Sequence, residues 1–251
     1  MSVTLPQAFE KAMRELLGEE FPAYQAALEE PAFRGLRRNP LKCRQGELEP
    51  LLPFPWKETP FSPLSSYAPA DWKPGALPAH HAGLFYVQEP SACSAVTALD
   101  PQPGDRVLDL CAAPGGKSTQ IAGLLQGRGL LWANEIVRSR AQILLSNIER
   151  LGVRNGVVSS CHPQRLCEGL RGFFDKVLVD APCSGEGMFR RDPQAIAQWT
   201  PESPAACAQR QRAILDSAAL AVGEGGVLVY STCTFSREEN EDNVRWFLSA
   251  H

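Results

Sequence analysis

Apolar positions along this chain change their period in a readable way. Near the N-terminus, Phe9, Met13, Leu16 and Leu17 recur at helical spacing and predict a helix over 5–17. Thr4 and Gln7 stand at capping-box spacing, with Pro6 in the first turn. A second short helix is expected over 22–30. Residues 46–78 then lose periodicity. They hold eight prolines and the aromatics Phe54, Trp56, Phe61, Tyr67 and Trp72, and read as short strands and loops. After Gln88-Glu89-Pro90-Ser91 a helical stretch is expected over 92–99, capped by Ser91 and stopped at Asp100-Pro101.

From Arg106 onward, short apolar runs alternate with helical patterns. Strands are expected over 106–110, 129–134, 156–160, 175–180 and 226–231. Helices are expected over 117–126, 137–151 and 204–222. The second helix puts Ala141, Leu144, Ile148 and Leu151 on one face, and the third Ile214, Leu215, Ala218 and Val222. Such alternation implies an α/β fold, with a parallel sheet and right-handed crossovers. Ligands of such sheets sit at the carboxyl ends of the strands. The division expected is a small N-terminal module and linker over 1–78, then a larger domain over 79–251.

Composition narrows the classes. The chain has 251 residues, 44% hydrophobic and 21% charged, with a net charge of −3. That is enough apolar material for a core. No apolar run approaches the roughly 20 residues of a membrane span. The N-terminus lacks a basic region followed by an apolar one, so a cytoplasmic protein is expected. Eight cysteines and four histidines complete no zinc spacing, so no metal is expected and most thiols should be buried hydrophobes. Arg34, Arg37, Arg38, Lys42 and Arg44 form a local basic cluster, with smaller groups at Arg190-Arg191 and Arg210/Arg212. They are either a solvated surface or a stripe that tracks phosphates.

Candidate chemistry concentrates at the strand ends. After the run Val107 to Leu110 comes Cys111-Ala112-Ala113-Pro114-Gly115-Gly116-Lys117-Ser118. Strand, tight glycine turn and helix aim backbone N–H groups at an anion. Three readings stay open: an ordinary turn, a phosphate loop whose first glycine is replaced by Cys111, and a site for a nucleoside-bearing cofactor. The dinucleotide fingerprint is absent. The second strand ends in Asn134-Glu135, about twenty residues on, where an acid can accept from ribose hydroxyls. The fourth ends in Asp180-Ala181-Pro182-Cys183 and the fifth in Ser231-Thr232-Cys233. Two cysteines thus leave what should be neighbouring strands onto one rim.

Ala112-Ala113-Pro114-Gly115-Gly116-Lys117, Asp180-Ala181-Pro182-Cys183-Ser184-Gly185 and Thr232-Cys233-Thr234 resemble motifs I, IV and VI of the RNA cytosine-5 methyltransferases, the NOL1/NOP2/Sun family. Gln88-Glu89-Pro90-Ser91 and Glu186-Gly187-Met188-Phe189-Arg190 resemble its bacterial RsmF-like branch, which acts on 16S ribosomal RNA of the small subunit. The resemblance implies a class I (Rossmann-like) methyltransferase core that uses S-adenosylmethionine, behind a small α+β N-terminal domain. It implies that Cys233 is the nucleophile toward carbon 6 of cytosine, since carbon 5 is a poor nucleophile until a thiolate adds beside it. It implies that Cys183 assists release and that Asp180 holds the cytosine edge.

For the cofactor, the resemblance implies that the turn Cys111, Ala112, Ala113, Pro114, Gly115, Gly116 and Lys117 holds the methionine end. Glu135 takes the ribose, Arg140 neutralises charge nearby, and Asp180 borders the same pocket. The family places an acid or amide after the third strand; here Ser160-Cys161-His162-Pro163 stands, which leaves His162 to face adenine. The basic cluster would grip RNA, with the target base out of its stack. The chain ends at His251, in the helix after the fifth strand, so a version truncated at its C-terminus is expected. The alternatives kept are the same reaction on transfer RNA, a phosphate-loop NTPase and an inactive RNA-binding fragment.

Overall fold

In the computed structural model, which describes residues 4–251, two helices come first, α1 (Gln7–Leu17) and α2 (Phe21–Glu29). Then follow β1 (Arg34–Arg38), β2 (Glu58–Thr59), β3 (Ser62–Ala68), α3 (Pro78–His81), β4 (Phe85–Val87) and α4 (Ser94–Leu99). An alternating series continues with β5 (Arg106–Asp109), α5 (Gly116–Leu125), β6 (Leu130–Asn134), α6 (Arg138–Arg150), β7 (Gly156–Ser159), α7 (Pro163–Gly169) and β8 (Phe174–Asp180). It closes with α8 (Pro193–Gln198), α9 (Ser203–Ala221), β9 (Val222–Ser231) and α10 (Glu241–Ala250).

The chain forms two compact units. The larger holds Phe33–Ala181 and Ile214–Ser231. It contains a five-stranded parallel sheet in the order β7-β6-β5-β8-β9. β5 is central because Val107 and Leu108 are apolar on both faces and are fully buried. Val96, Leu99, Ile121, Leu125, Leu131, Leu144 and Leu178 close over it. The expected α/β core is therefore present. The strand order reverses beside β5, which marks its carboxyl end as the place for a ligand. The same unit holds an antiparallel sheet in the order β2-β3-β1-β4.

The smaller unit holds the N-terminal residues to Ala32, Pro182–Ala213 and Thr232–His251. Phe9, Met13, Phe21 and Phe189 form its buried apolar centre. Phe9 meets Phe189 edge-on, with centroids 4.9 Å apart.

Several local expectations give way to the structure. Pro6 occupies the N-cap of α1 with no side-chain bond, so the Thr4/Gln7 capping box does not form. Glu89, not Ser91, caps the turn before α4. Its carboxylate accepts from Ala92 N at 3.1 Å and from the Ser91 hydroxyl. β9 begins four residues before its expected start. A register shift opposite Phe174/Lys176 admits the Gly223-Glu224-Gly225-Gly226 run into the strand, with Gly225 at φ +72°.

The basic cluster is the main correction. β1 is paired on both sides, so most of its side chains are buried. Arg37 has no exposure. It donates to Gln88 Oε1 at 2.8 Å, Thr119 Oγ1 at 2.8 Å and Gly116 O at 3.0 Å. Arg38 donates to Cys43 O at 3.0 Å, and Lys42 to Ala82 O and Arg150 O at 2.9 and 2.7 Å. Arg37 and Arg38 are fold-holding groups and cannot reach phosphate. Arg37→Met leaves two buried acceptors, Gln88 Oε1 and Thr119 Oγ1, and the part-buried Gly116 O each short of a donor. Urea unfolding should show a loss of about 3 kcal/mol.

Candidate active site

The glycine turn is pinned from both sides. Leu110 N donates to Leu178 O at 3.0 Å on β8, and Ala112 N to Asn134 O at 2.8 Å on β6. Gly115 sits at φ +108°, a conformation that favours glycine, and starts α5. Arg140 Nη2 and Asn147 Nδ2, both on α6, hold Ala113 O at 3.1 Å and Pro114 O at 2.9 Å. The first-turn N–H groups of α5 have no intrahelical acceptor, and the helix dipole adds positive potential there. A carboxylate or phosphate fits that end.

Lys117 and Ser118 decide between the open readings. Lys117 Nζ lies 2.7 Å from Asp180 Oδ2. Ser231 Oγ donates to the other Asp180 oxygen at 2.8 Å, from the position that pairs with Asp180 across β8 and β9. Ser118 has no exposure and donates to Asp109 Oδ2 at 2.6 Å. A phosphate loop needs a lysine free for phosphates and an open serine hydroxyl for magnesium. Neither is offered here, so the NTPase alternative fails on this geometry.

Glu135 directly follows the end of β6 and is 3% exposed. Its Oε1 accepts from Val137 N at 3.0 Å, and Arg140 Nη1 stands 3.3 Å from Oε2. Asn134 ties three strand ends together. It donates to Leu110 O and Cys161 O and accepts from Cys161 N at 3.1 Å and Ser159 Oγ at 2.8 Å. His162 is the exposed N-cap residue of α7. Burial, then the charge of Asp109, pushes the Cys111 thiol up, which leaves it a neutral lining group.

Sequence reasoning missed Asp109. It is fully buried, and among the described residues its Oδ1 has no hydrogen-bond partner. Burial pushes its carboxyl up to about 7, against the bond from Ser118. The available signal was a lone acid inside the otherwise apolar run Val107 to Leu110.

In the smaller unit the two strand-end cysteines meet. Cys183 Sγ and Cys233 Sγ are 3.2 Å apart, and Cys233 N donates to Cys183 Sγ at 3.4 Å. Cys233 is exposed. The hydrogen bond with Cys233, then burial, pushes the Cys183 thiol up, so Cys183 keeps its proton and can direct it at the Cys233 sulfur. Gly187 N donates to Cys233 O at 2.8 Å, and a Cβ on Gly187 would stand 2.8 Å from that oxygen. The structure thus joins Cys183 with Cys233, Lys117 with Asp180, and Glu135 with Arg140.

Among the described residues, no helix is long and apolar enough to cross a membrane. The sequence model of the family described as 16S rRNA methyltransferase RsmB/F matches residues 96–251. That of the N-terminal domain of 16S rRNA methyltransferase RsmF matches residues 5–90. The chain is 41% identical to a ribosomal RNA small subunit methyltransferase F of Cronobacter sakazakii, over 100% of this chain and 54% of the relative. It is 41% identical to one of Vibrio cholerae, over 98% and 54%. The chain spans about half the length of the curated relatives it matches. A solved methyltransferase homolog from Pyrococcus horikoshii is 30% identical with a TM-score of 0.84, covering 98% of this chain and 79% of that one. NSun6 from Pyrococcus horikoshii, solved with SFG, is 25% identical with a TM-score of 0.85, covering 100% and 88%.

The raised Asp109 carboxyl gives a pH test. Its proton is held more tightly folded than unfolded, so its contribution to stability is full below the ordinary value of 3.8 and is lost as pH rises through about 7. The difference in unfolding free energy between wild type and Asp109→Asn should change by on the order of 4 kcal/mol across that window. Denaturant titrations at a series of pH values measure it.

Proposed function

The chain belongs to the RsmB/F family of 16S rRNA methyltransferases, and we propose that it transfers a methyl group from S-adenosylmethionine to carbon 5 of a cytosine in RNA, namely 16S ribosomal RNA, through a covalent adduct with Cys233. The observation that carries this reading is the thiol pair, with Sγ atoms 3.2 Å apart and Cys233 exposed. One buried cysteine is an ordinary hydrophobe. An exposed cysteine facing a second, protonated thiol is a nucleophile with a proton source beside it.

The cofactor fits the residues present. The orphaned Oδ1 of buried Asp109, the open N–H groups of α5 and the turn Cys111 to Lys117 suit the charged methionine end. Glu135, steadied by Val137 N and Arg140, suits ribose hydroxyls, and His162 suits the adenine edge. When bound, S-adenosylmethionine supplies an electrophilic methyl group. Support also comes from NSun6, whose SFG is an analogue of that cofactor.

The residues divide the work as follows. Cys233 Sγ bonds to carbon 6 of the target cytosine, and the ring electrons move to carbon 5. Asp180, held by Lys117 and Ser231, accepts from the cytosine amino edge and orients the ring. After carbon 5 gains the methyl group, Cys183, having first released its own thiol proton to solvent, takes the carbon 5 proton as a base, and the electron pair of that C–H bond moves toward carbon 6 to expel Cys233 as a thiolate. The Sγ–carbon 6 bond breaks as the carbon 5–carbon 6 double bond returns. Residues 79–251 carry this chemistry. Residues 1–78 act as the RNA-facing module, through exposed Arg34 and Arg44. Such a substrate places the work in the bacterial cytoplasm.

Labelled methyl transfer to small-subunit ribosomal RNA tests the reading. Cys233→Ala should lose transfer by more than a thousandfold. Cys183→Ala should retain bond formation and accumulate RNA attached through Cys233, seen as a shifted band on a denaturing gel. Methylation by Cys233→Ala would remove the nucleophile assignment.

A further inference from the structure

Two carboxyl groups that look solvated in the sequence are buried beside the thiol pair. Glu186 is 5% exposed and Glu239 has no exposure. They hold the two cysteine loops crosswise. Glu186 follows Cys183 in the chain, yet it grips the Cys233 loop. Its Oε2 lies 2.8 Å from Thr234 Oγ1 and accepts from Phe235 N at 3.0 Å, and its Oε1 accepts from Trp199 Nε1 at 3.2 Å. Glu239 follows Cys233, yet it grips the Cys183 loop. Its Oε1 accepts from Ser184 Oγ at 2.5 Å, and its Oε2 from Ser184 N at 3.0 Å and Gln211 Nε2 at 2.8 Å. Between the two grips, Ser184 Oγ and Thr234 Oγ1 meet at 2.8 Å.

The protons in this row do not add up if both carboxyls are ionised. Glu239 Oε1, Ser184 Oγ, Thr234 Oγ1 and Glu186 Oε2 make three close contacts in series. Each hydroxyl supplies one proton. Two hydroxyls fill two contacts, and the third would set lone pair against lone pair in a buried site. A carboxyl proton fills it. With that proton on Glu186, each group donates to the next: Glu186 to Thr234, Thr234 to Ser184, Ser184 to Glu239. Thr234 Oγ1 also takes Ser236 N at 3.2 Å, which completes its acceptor capacity. Burial, with the charge of Glu239 adding, pushes the Glu186 carboxyl up in the same sense.

We propose that Glu186 and Glu239 share one proton and act as a positioning clasp that sets Cys183 against Cys233. The clasp touches no substrate. It ties the two loops in one register, and loss of the shared proton puts two like charges on one hydroxyl row and loosens that register. Other titratable or charged groups among the described residues also stand near it. Tyr24, beside Glu186, has its phenol pushed up to about 12 by burial first and then by the Glu186 charge. Cys207 feels the Glu239 charge, with Arg210 near it. Arg212 donates to Asn243, which in turn donates to Gln211. The effect on turnover rests on the methyl-transfer reading; the shared proton does not.

Infrared spectroscopy of the full chain reads the proton directly. Asp109→Asn serves as the background, because the buried Asp109 gives an acid band of its own. At neutral pH that protein should show the carbonyl stretch of a protonated carboxylic acid, and adding Glu186→Gln or Glu239→Gln should abolish it. An absent band, or one that survives both substitutions, overturns the shared proton. Should Glu186→Gln not fold, Glu239→Gln and the pH titration of the background band decide the same point.

Turnover is read on denaturing gels across pH in the wild-type chain and Glu186→Gln. The ratio of Cys233–RNA adduct to free protein should rise at alkaline pH in wild type and stay flat in Glu186→Gln, whose amide donates at every pH. Parallel profiles overturn the positioning role. If neither wild type nor Cys183→Ala forms any adduct, the methyl-transfer reading falls, and the infrared band alone decides the clasp.

Discussion

Parallel pairing of β8 with β9 sets the terms for the chemistry. Strands that run side by side in the same direction deliver their last residues to the same edge. Here the register puts Asp180 opposite Ser231, and the serine hydroxyl bonds the aspartate. Lys117, from the first turn of α5, reaches the other oxygen of that aspartate. One carboxylate therefore links the glycine turn to the last two strands. A glycine turn serves many cofactors; one whose lysine is committed to a strand-end aspartate is shaped for a different task from a phosphate loop.

Buried polar groups do most of the positioning. Arg37, Asn134 and Asp109 in the larger unit, and Glu186, Glu239, Gln211 and Asn243 in the smaller, are all at or near zero exposure. Burying such groups is unfavourable unless their bonds are made. Once made, those bonds fix loop conformations that apolar packing would leave loose. Arg37 illustrates the trade. Its guanidinium loses its water, and burial lowers its pKa to about 10, yet in return it fixes Gln88 and the first turn of α5.

Much of this was legible in the sequence, because the legible parts are periodic or local. The alternation from Arg106 to Ser231 gave the parallel sheet, since buried parallel strands are continuous apolar runs and their crossovers are amphipathic helices. The glycine turn and the two strand-end cysteines were visible as short motifs. What escaped was long-range and polar. Arg37 sits in a run of cations that looks solvated, and it is buried because β1 gains a neighbour on each side from Ser62–Ala68 and Phe85–Val87. Glu239 sits in the acidic run Arg237-Glu238-Glu239-Asn240-Glu241-Asp242, where nothing local separates it from its exposed neighbours. Its partners, Ser184 and Gln211, are remote in sequence. A side-chain bond across such a gap leaves no periodic trace. The same holds for Glu89, which took the capping role that composition assigned to Ser91.

The central claim is that the glycine turn holds S-adenosylmethionine. Isothermal titration calorimetry of the folded chain with S-adenosylmethionine, and separately with Mg-ATP, tests it most directly. The account predicts saturable binding of S-adenosylmethionine, weakened in Asp109→Ala, and no heat from Mg-ATP. Binding of Mg-ATP, or a folded chain that takes up neither ligand, would contradict it.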